Sequence, residues 1–186
     1  MTLFEYLTVA ISIVLALGAT HLLANIRSVF DRRRRHWVHV LFVIFVLGLY
    51  PNLWWSFWDF SNGANWSIYT FLYSLLGPGL LYMMATTLIP IKDTGLTTWI
   101  DHFLEIRSWF YILNLLYITW AYFTTVLLLD APIFHSYRLI QLAAFLAALA
   151  GLILAREAVD KVVIVVFFAV LAIATVLRAQ PAPWWA

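Results

Sequence analysis

Arg156-Glu157-Ala158-Val159-Asp160-Lys161 decides how often this chain crosses a membrane. It lies between two stretches without Asp, Glu, Lys or Arg, from Leu139 to Ala155 and from Val162 to Leu177. The hexapeptide has no Gly or Pro, so local propensity alone would carry one helix straight through it. A helix from Leu139 to Leu177 would be about 58 Å long at 1.5 Å per residue, too long for a hydrocarbon core of about 30 Å. The charged hexapeptide is therefore a turn between two antiparallel spans. Both are short, and Arg138, Arg156, Lys161 and Arg178 extend them by carrying their charges to the interface.

Working outward, four more uncharged stretches reach span length: Tyr6 to Ile26, His36 to Trp58, Phe60 to Ile91 and Ser108 to Leu129. The third is over-long, but Ser61-Asn62-Gly63-Ala64-Asn65 reads as a turn. The sequence thus predicts a single all-α transmembrane bundle over 1–186, without a soluble domain. Its six helices run over about 3–26, 37–59, 66–90, 105–129, 135–155 and 159–178. Composition agrees, with 65% hydrophobic and 11% charged residues against about 45–50% and about 25% in soluble domains.

Charge sets the expected orientation. With the N-terminus outside, Arg27, Arg32 to Arg35, Lys92, Arg107, Arg156 and Lys161 all fall in cytoplasmic loops, which is nine of the eleven Lys and Arg. Both termini are then extracytoplasmic. The first apolar stretch reads as an uncleaved helix rather than a signal peptide, because Glu5 precedes it and the Arg cluster follows it. The Arg32-Arg33-Arg34-Arg35 run also attracts anionic lipid, at about 1 kcal/mol per residue near the surface.

Several classes are excluded together. A net charge of +2 is too small for a nucleic-acid surface. The absence of Cys removes disulfides, thiolate metal sites and a cysteine nucleophile. No Walker loop, Gly-x-Ser-x-Gly elbow or His-Glu-x-x-His motif is present. Neither Lys lies inside a span, which excludes retinal. No enzyme class and no cofactor follow from the sequence.

Phe4-Glu5-Tyr6, the run Leu15-Ala16-Leu17-Gly18-Ala19-Thr20-His21-Leu22-Leu23, the basic loop and the Trp-rich second helix resemble a family of small bacterial six-span proteins with no assigned activity. The resemblance covers the whole architecture but is specific mainly over the first sixty residues. It implies a bacterial inner membrane and transfers no functional residue.

Candidate sites come from polar residues and breaks within the spans. Pro51 and Pro78 sit near mid-membrane on consecutive helices, each depriving a carbonyl, of Leu47 and Ser74, of its usual donor. Such breaks are ordinary kinks in many membrane helices and line ion or solute paths in others. Asn52 beside Pro51 needs a partner. Arg138 opposes the positive-inside trend, with Asp59 and Asp130 as its nearest acids by topology. It is either a snorkelling surface charge or a partly buried anion site.

His21 and His39 fall near the same ends of neighbouring helices, but no second pair lies deeper, so haem ligation is the minor reading against hydrogen-bonded histidine. Trp54, Trp55, Trp58 and Trp66 read as an interfacial belt. Thr98 to Arg107 reads as a short helix lying on the membrane surface or leading into helix four. Asp101, His102 and Glu105 within it are either a cation site or, more commonly, a solvated face. Ala143, Ala147, Ala150 and Gly151 form a small-residue face for packing within the chain or between copies. Three function classes remain: a non-enzymatic protein that moves or senses a small solute, ion or lipid; an accessory subunit of a larger membrane complex; and a haem- or quinone-dependent redox protein.

Overall fold

The computed structural model describes residues 3–31, 33, 35–57, 67–91, 98–128, 132–133 and 136–178. They form six helices: α1 (Leu3–Val29), α2 (Trp37–Ser56), α3 (Ile68–Leu88), α4 (Trp99–Leu128), α5 (Ser136–Leu154) and α6 (Glu157–Arg178). No strand occurs among the described residues. Each helix contains a segment long and apolar enough to cross a membrane.

The α5–α6 turn is two residues long. Ala155 stops α5 by adopting a left-handed conformation, φ 46°, which an L side chain takes only at a local cost. The carbonyl of Arg156 then accepts from the amides of Val159 and Asp160, opening α6.

α4 begins earlier than the sequence pattern suggests. Thr98 caps it, its Oγ1 accepting from the Asp101 amide at 3.3 Å while its hydroxyl donates to the Asp101 carboxylate. The Thr98–Arg107 segment is therefore the start of α4 and not a separate surface helix.

Helices alternate in direction, so the ends of α1, α3 and α5 meet the starts of α2, α4 and α6. Arg27, Arg33, Arg35, Arg156 and Lys161 sit there, at what we term the basic end. Helix-terminal carbonyls at this end need partners, and long side chains supply them. Trp99 Nε1 donates to Ser28 O at 2.9 Å. His21 Nε2 lies 2.7 Å from Ile89 O, and His102 Nε2 lies 3.1 Å from Thr87 O.

α2 is the central helix. Its span is 56% buried, against at most 33% for any other, and it packs on α1, α3, α4 and α6. The remaining helices pack on one another in the order α1, α3, α4, α5, α6, and α2 joins α6 to α1. Toward the basic end the space between them is filled by rings. Phe42 stacks on Phe103 at 5.2 Å and meets Phe110 edge-on at 5.0 Å. Phe45 stacks on Phe167 at 4.8 Å.

Candidate functional site

Beyond Phe45 and Phe167 the filling stops. α2 and α5 stand on opposite sides of a space flanked by α4 and α6, and the residues facing it include the small Ala121, Ala144 and Ala174. A cavity of ≈ 120 Å³ results. On α2 it extends from Phe45 to Ser56, eleven residues or about 16 Å. It therefore leads from the middle of the bundle to the end opposite the basic one.

The inner part is apolar, made by Phe45, Leu49 and Phe167, with Asn114 as a polar exception. Asn114 Nδ2 donates to its own helix, to Phe110 O at 2.8 Å. The outer part carries amides and hydroxyls: Asn52, Ser56, Thr124, Thr125, Tyr137 and Gln141. Among the described residues, no acidic or basic side chain lines the cavity.

Arg138 stands one hydrogen bond away. Its Nη1 donates to Thr125 Oγ1 at 2.6 Å and to Gln141 Oε1 at 2.9 Å, both on cavity-lining residues. Its Nε and Nη2 donate to Pro132 O, and the guanidinium carbon lies 4.6 Å from the Tyr122 ring centroid. The side chain is half-buried.

Of the residues singled out in the sequence, the fold brings Asn52 and Arg138 to the same cavity. Asn52 Nδ2 also donates to Thr175 Oγ1 at 3.2 Å, joining α2 to α6. The prolines lie elsewhere. α2 continues through Pro51, which is exposed, and α3 continues through Pro78, which is buried but does not line the cavity. Asp59 and Asp130 lie outside the described residues, as do Arg32 and Arg34. Arg33 and Arg35 are exposed at the basic end, with Arg35 3.9 Å over the Trp37 ring.

The small-residue face on α5 divides. Gly151 is buried and its α-carbon faces the Tyr111 ring so closely that any side chain would overlap it. Ala143, in contrast, is exposed, and the buried alanines are Ala144 and Ala148. Of the expected face, Gly151 is buried and Ala147 is partly buried against the core, Ala144 and Ala148 join them on the buried side, and Ala143 does not take part.

Three of the described histidines lie close to the end of α3 and the start of α4. His21 and His102 each meet a carbonyl at the end of α3, and His39 lies against Trp99 at 4.9 Å instead of meeting His21. Asp101 and Glu105 are exposed while His102 is buried, so that triplet does not converge. Among the described residues no group of three or more His, Asp or Glu could hold a metal ion.

Sequence reasoning missed the most buried ionic group. Arg107 on α4 is 7% exposed and Asp160 on α6 is 1% exposed, and they pair at 2.6 Å. Tyr111 donates to the other carboxylate oxygen at 2.8 Å, and Arg107 Nη1 donates to the carbonyl of Ala155 in the α5–α6 turn. The signal was periodicity. Asp160 is in phase with the buried Val163, Ile164 and Phe167, and Arg107 with Phe110, Tyr111 and Asn114.

His39 is fully buried, with neither ring nitrogen partnered. An unpaired buried polar group costs about 1–3 kcal/mol. Phenylalanine would keep the ring contacts with Trp99 and Phe103 and remove that cost. His39→Phe should therefore raise stability by about 1 kcal/mol in a detergent melt. A lower melting temperature would show that the imidazole nitrogens are used.

Comparison with models of protein families, with curated proteins and with solved structures gives no match.

Proposed function

We propose that this is an integral protein of a bacterial inner membrane that moves or senses a small solute or lipid bound in the cavity among α2, α4, α5 and α6. The cavity carries the reading. Toward the basic end the described core is filled with aromatic rings and helix-end hydrogen bonds, whereas four helices leave an open space that runs from one end to mid-bundle. Clefts with apolar walls and a few convergent polar groups are where small ligands bind. The concentration of cations at the other end supports an orientation with the basic end cytoplasmic, so the cavity opens to the extracytoplasmic side. Arg32 to Arg35 then meet anionic lipid of the inner leaflet.

Benzyl alcohol, a small neutral molecule with an apolar body, tests the cavity directly. It should raise the melting temperature of the purified protein saturably, because a ligand that binds only the folded state stabilises it. Ala144→Phe or Ala174→Phe, each adding a ring to a lining position, should abolish the shift without lowering the melting temperature of the free protein. A wild-type protein that shows no saturable shift, or filled variants that respond as the wild type does, would overturn the reading.

A further inference from the structure

The acids of the described residues are distributed unevenly. Among the described residues Asp31, Asp101, Glu105, Glu157 and Asp160 belong to the basic end, and Glu5 lies on α1, which packs on α2 and α3. Among the described residues, Arg138 at the opposite end donates to neutral oxygens, those of Thr125, Gln141 and Pro132, and these contacts fix its permanently charged guanidinium in place.

Thr125 and Gln141 are cavity walls. An anionic oxygen entering there can replace either as the acceptor for Nη1. Charge-assisted bonds of this kind are about twice as strong as neutral ones, and the surrounding low dielectric strengthens the attraction further. Deeper in, Phe45, Leu49 and Phe167 offer an apolar wall. The volume of ≈ 120 Å³ approaches the roughly 150 Å³ of an apolar protein cavity that admits benzene.

We propose that the cavity takes a ligand with an anionic oxygen head and an apolar body of about benzene size, the head bound by Arg138 beside Thr125 and Gln141 and the body resting on Phe45, Leu49 and Phe167. This rests on the cavity reading above and names its ligand class. A water-borne organic acid and an anionic lipid share that chemistry.

Benzoate and benzyl alcohol differ in the charge of the head and are alike in the body. Titrated into the full-length protein in phosphatidylcholine nanodiscs, benzoate should bind at least about tenfold tighter than benzyl alcohol, equivalent to about 1.4 kcal/mol. Arg138→Gln should remove that preference while still binding benzyl alcohol, which also shows that the variant is folded. Arg138→Lys, which keeps the charge but loses the planar fork, should fall between the two. In the wild-type protein, excess acetate should displace benzoate and leave benzyl alcohol bound.

Equal benzoate affinity in wild type and Arg138→Gln, or benzoate untouched by acetate, would overturn the anion assignment and leave the cavity reading standing. Failure of both probes to bind would overturn both. Nanodiscs containing phosphatidylglycerol separate the two sources. Competition with benzoate identifies the head as a lipid's, and its absence identifies a water-borne acid; either result sustains the ligand class.

Discussion

Asp160→Asn, made alone, should cost the folded bundle about 3–5 kcal/mol, the usual penalty for removing one partner of a buried ion pair. The change is nearly isosteric, so the loss is electrostatic. Arg107 keeps its charge, and its surroundings are Phe103 at 5.8 Å and the Ala155 carbonyl. Arg107 Nε already has no partner in the wild type, which leaves the guanidinium little to fall back on. Arg107→Met should cost a similar amount by stranding the carboxylate with only the Tyr111 hydroxyl. The double variant Arg107→Met/Asp160→Leu should recover most of the loss, since apolar packing can replace such a pair at little cost. Denaturant titration of all three variants in mixed micelles checks this. Additive losses in the double variant would show that the two residues act separately.

The second large effect is expected at Gly77. Its α-carbon lies against the Trp120 ring, so a side chain at that position would overlap the indole. The indole cannot simply turn away. Trp120 Nε1 donates to Tyr73 O at 3.0 Å and Tyr73 OH donates to Trp120 O at 3.1 Å, a reciprocal clamp between α3 and α4. Gly77→Ala gains up to about 1 kcal/mol of helix propensity but loses more to the overlap. Gly77→Leu should lower stability by about 3 kcal/mol, toward the upper end for overpacked sites. Trp120 is also a cavity wall. Whatever Gly77→Leu molecules remain folded should therefore bind benzyl alcohol less tightly, with the melt and the titration read on the same sample. Wild-type values in both would show that the indole is free to move.

What could be read in the sequence follows a physical division. Helix number came from density of apolar residues, and a break between the last two spans came from the thickness of a bilayer, both properties of the chain taken one segment at a time; the break itself falls at Ala155 and Arg156, while Glu157 to Lys161, expected in the turn, form the start of α6. Asn52 and Arg138 stood out for the same reason, as polar groups where apolar ones are the rule. The cavity was not legible, because Ala121, Ala144 and Ala174 are unremarkable on their own helices and matter only where three helices converge. The Arg107–Asp160 pair was hidden differently. Counting cations by loop places Arg107 at a cytoplasmic helix end, and nothing on α4 by itself names Asp160 of α6 as its partner. Gly77 carries no signal of its own beside Pro78, because its lack of a side chain matters only where Trp120 of another helix packs against it.

The central position of α2 has a consequence for how the protein is made. α2 leaves the ribosome second, but one of its main neighbours, α6, leaves last. Until then the face of α2 bearing Phe45, Leu49 and Asn52 has no α6 beside it, and Asn52 waits for Thr175. A growing chain that has inserted five helices is therefore an incomplete object with a gap in its wall, and α6 seals it. Assembly of this membrane protein is committed late, and chains that stop after Leu154 should be recognised by membrane proteases where the full-length protein is not.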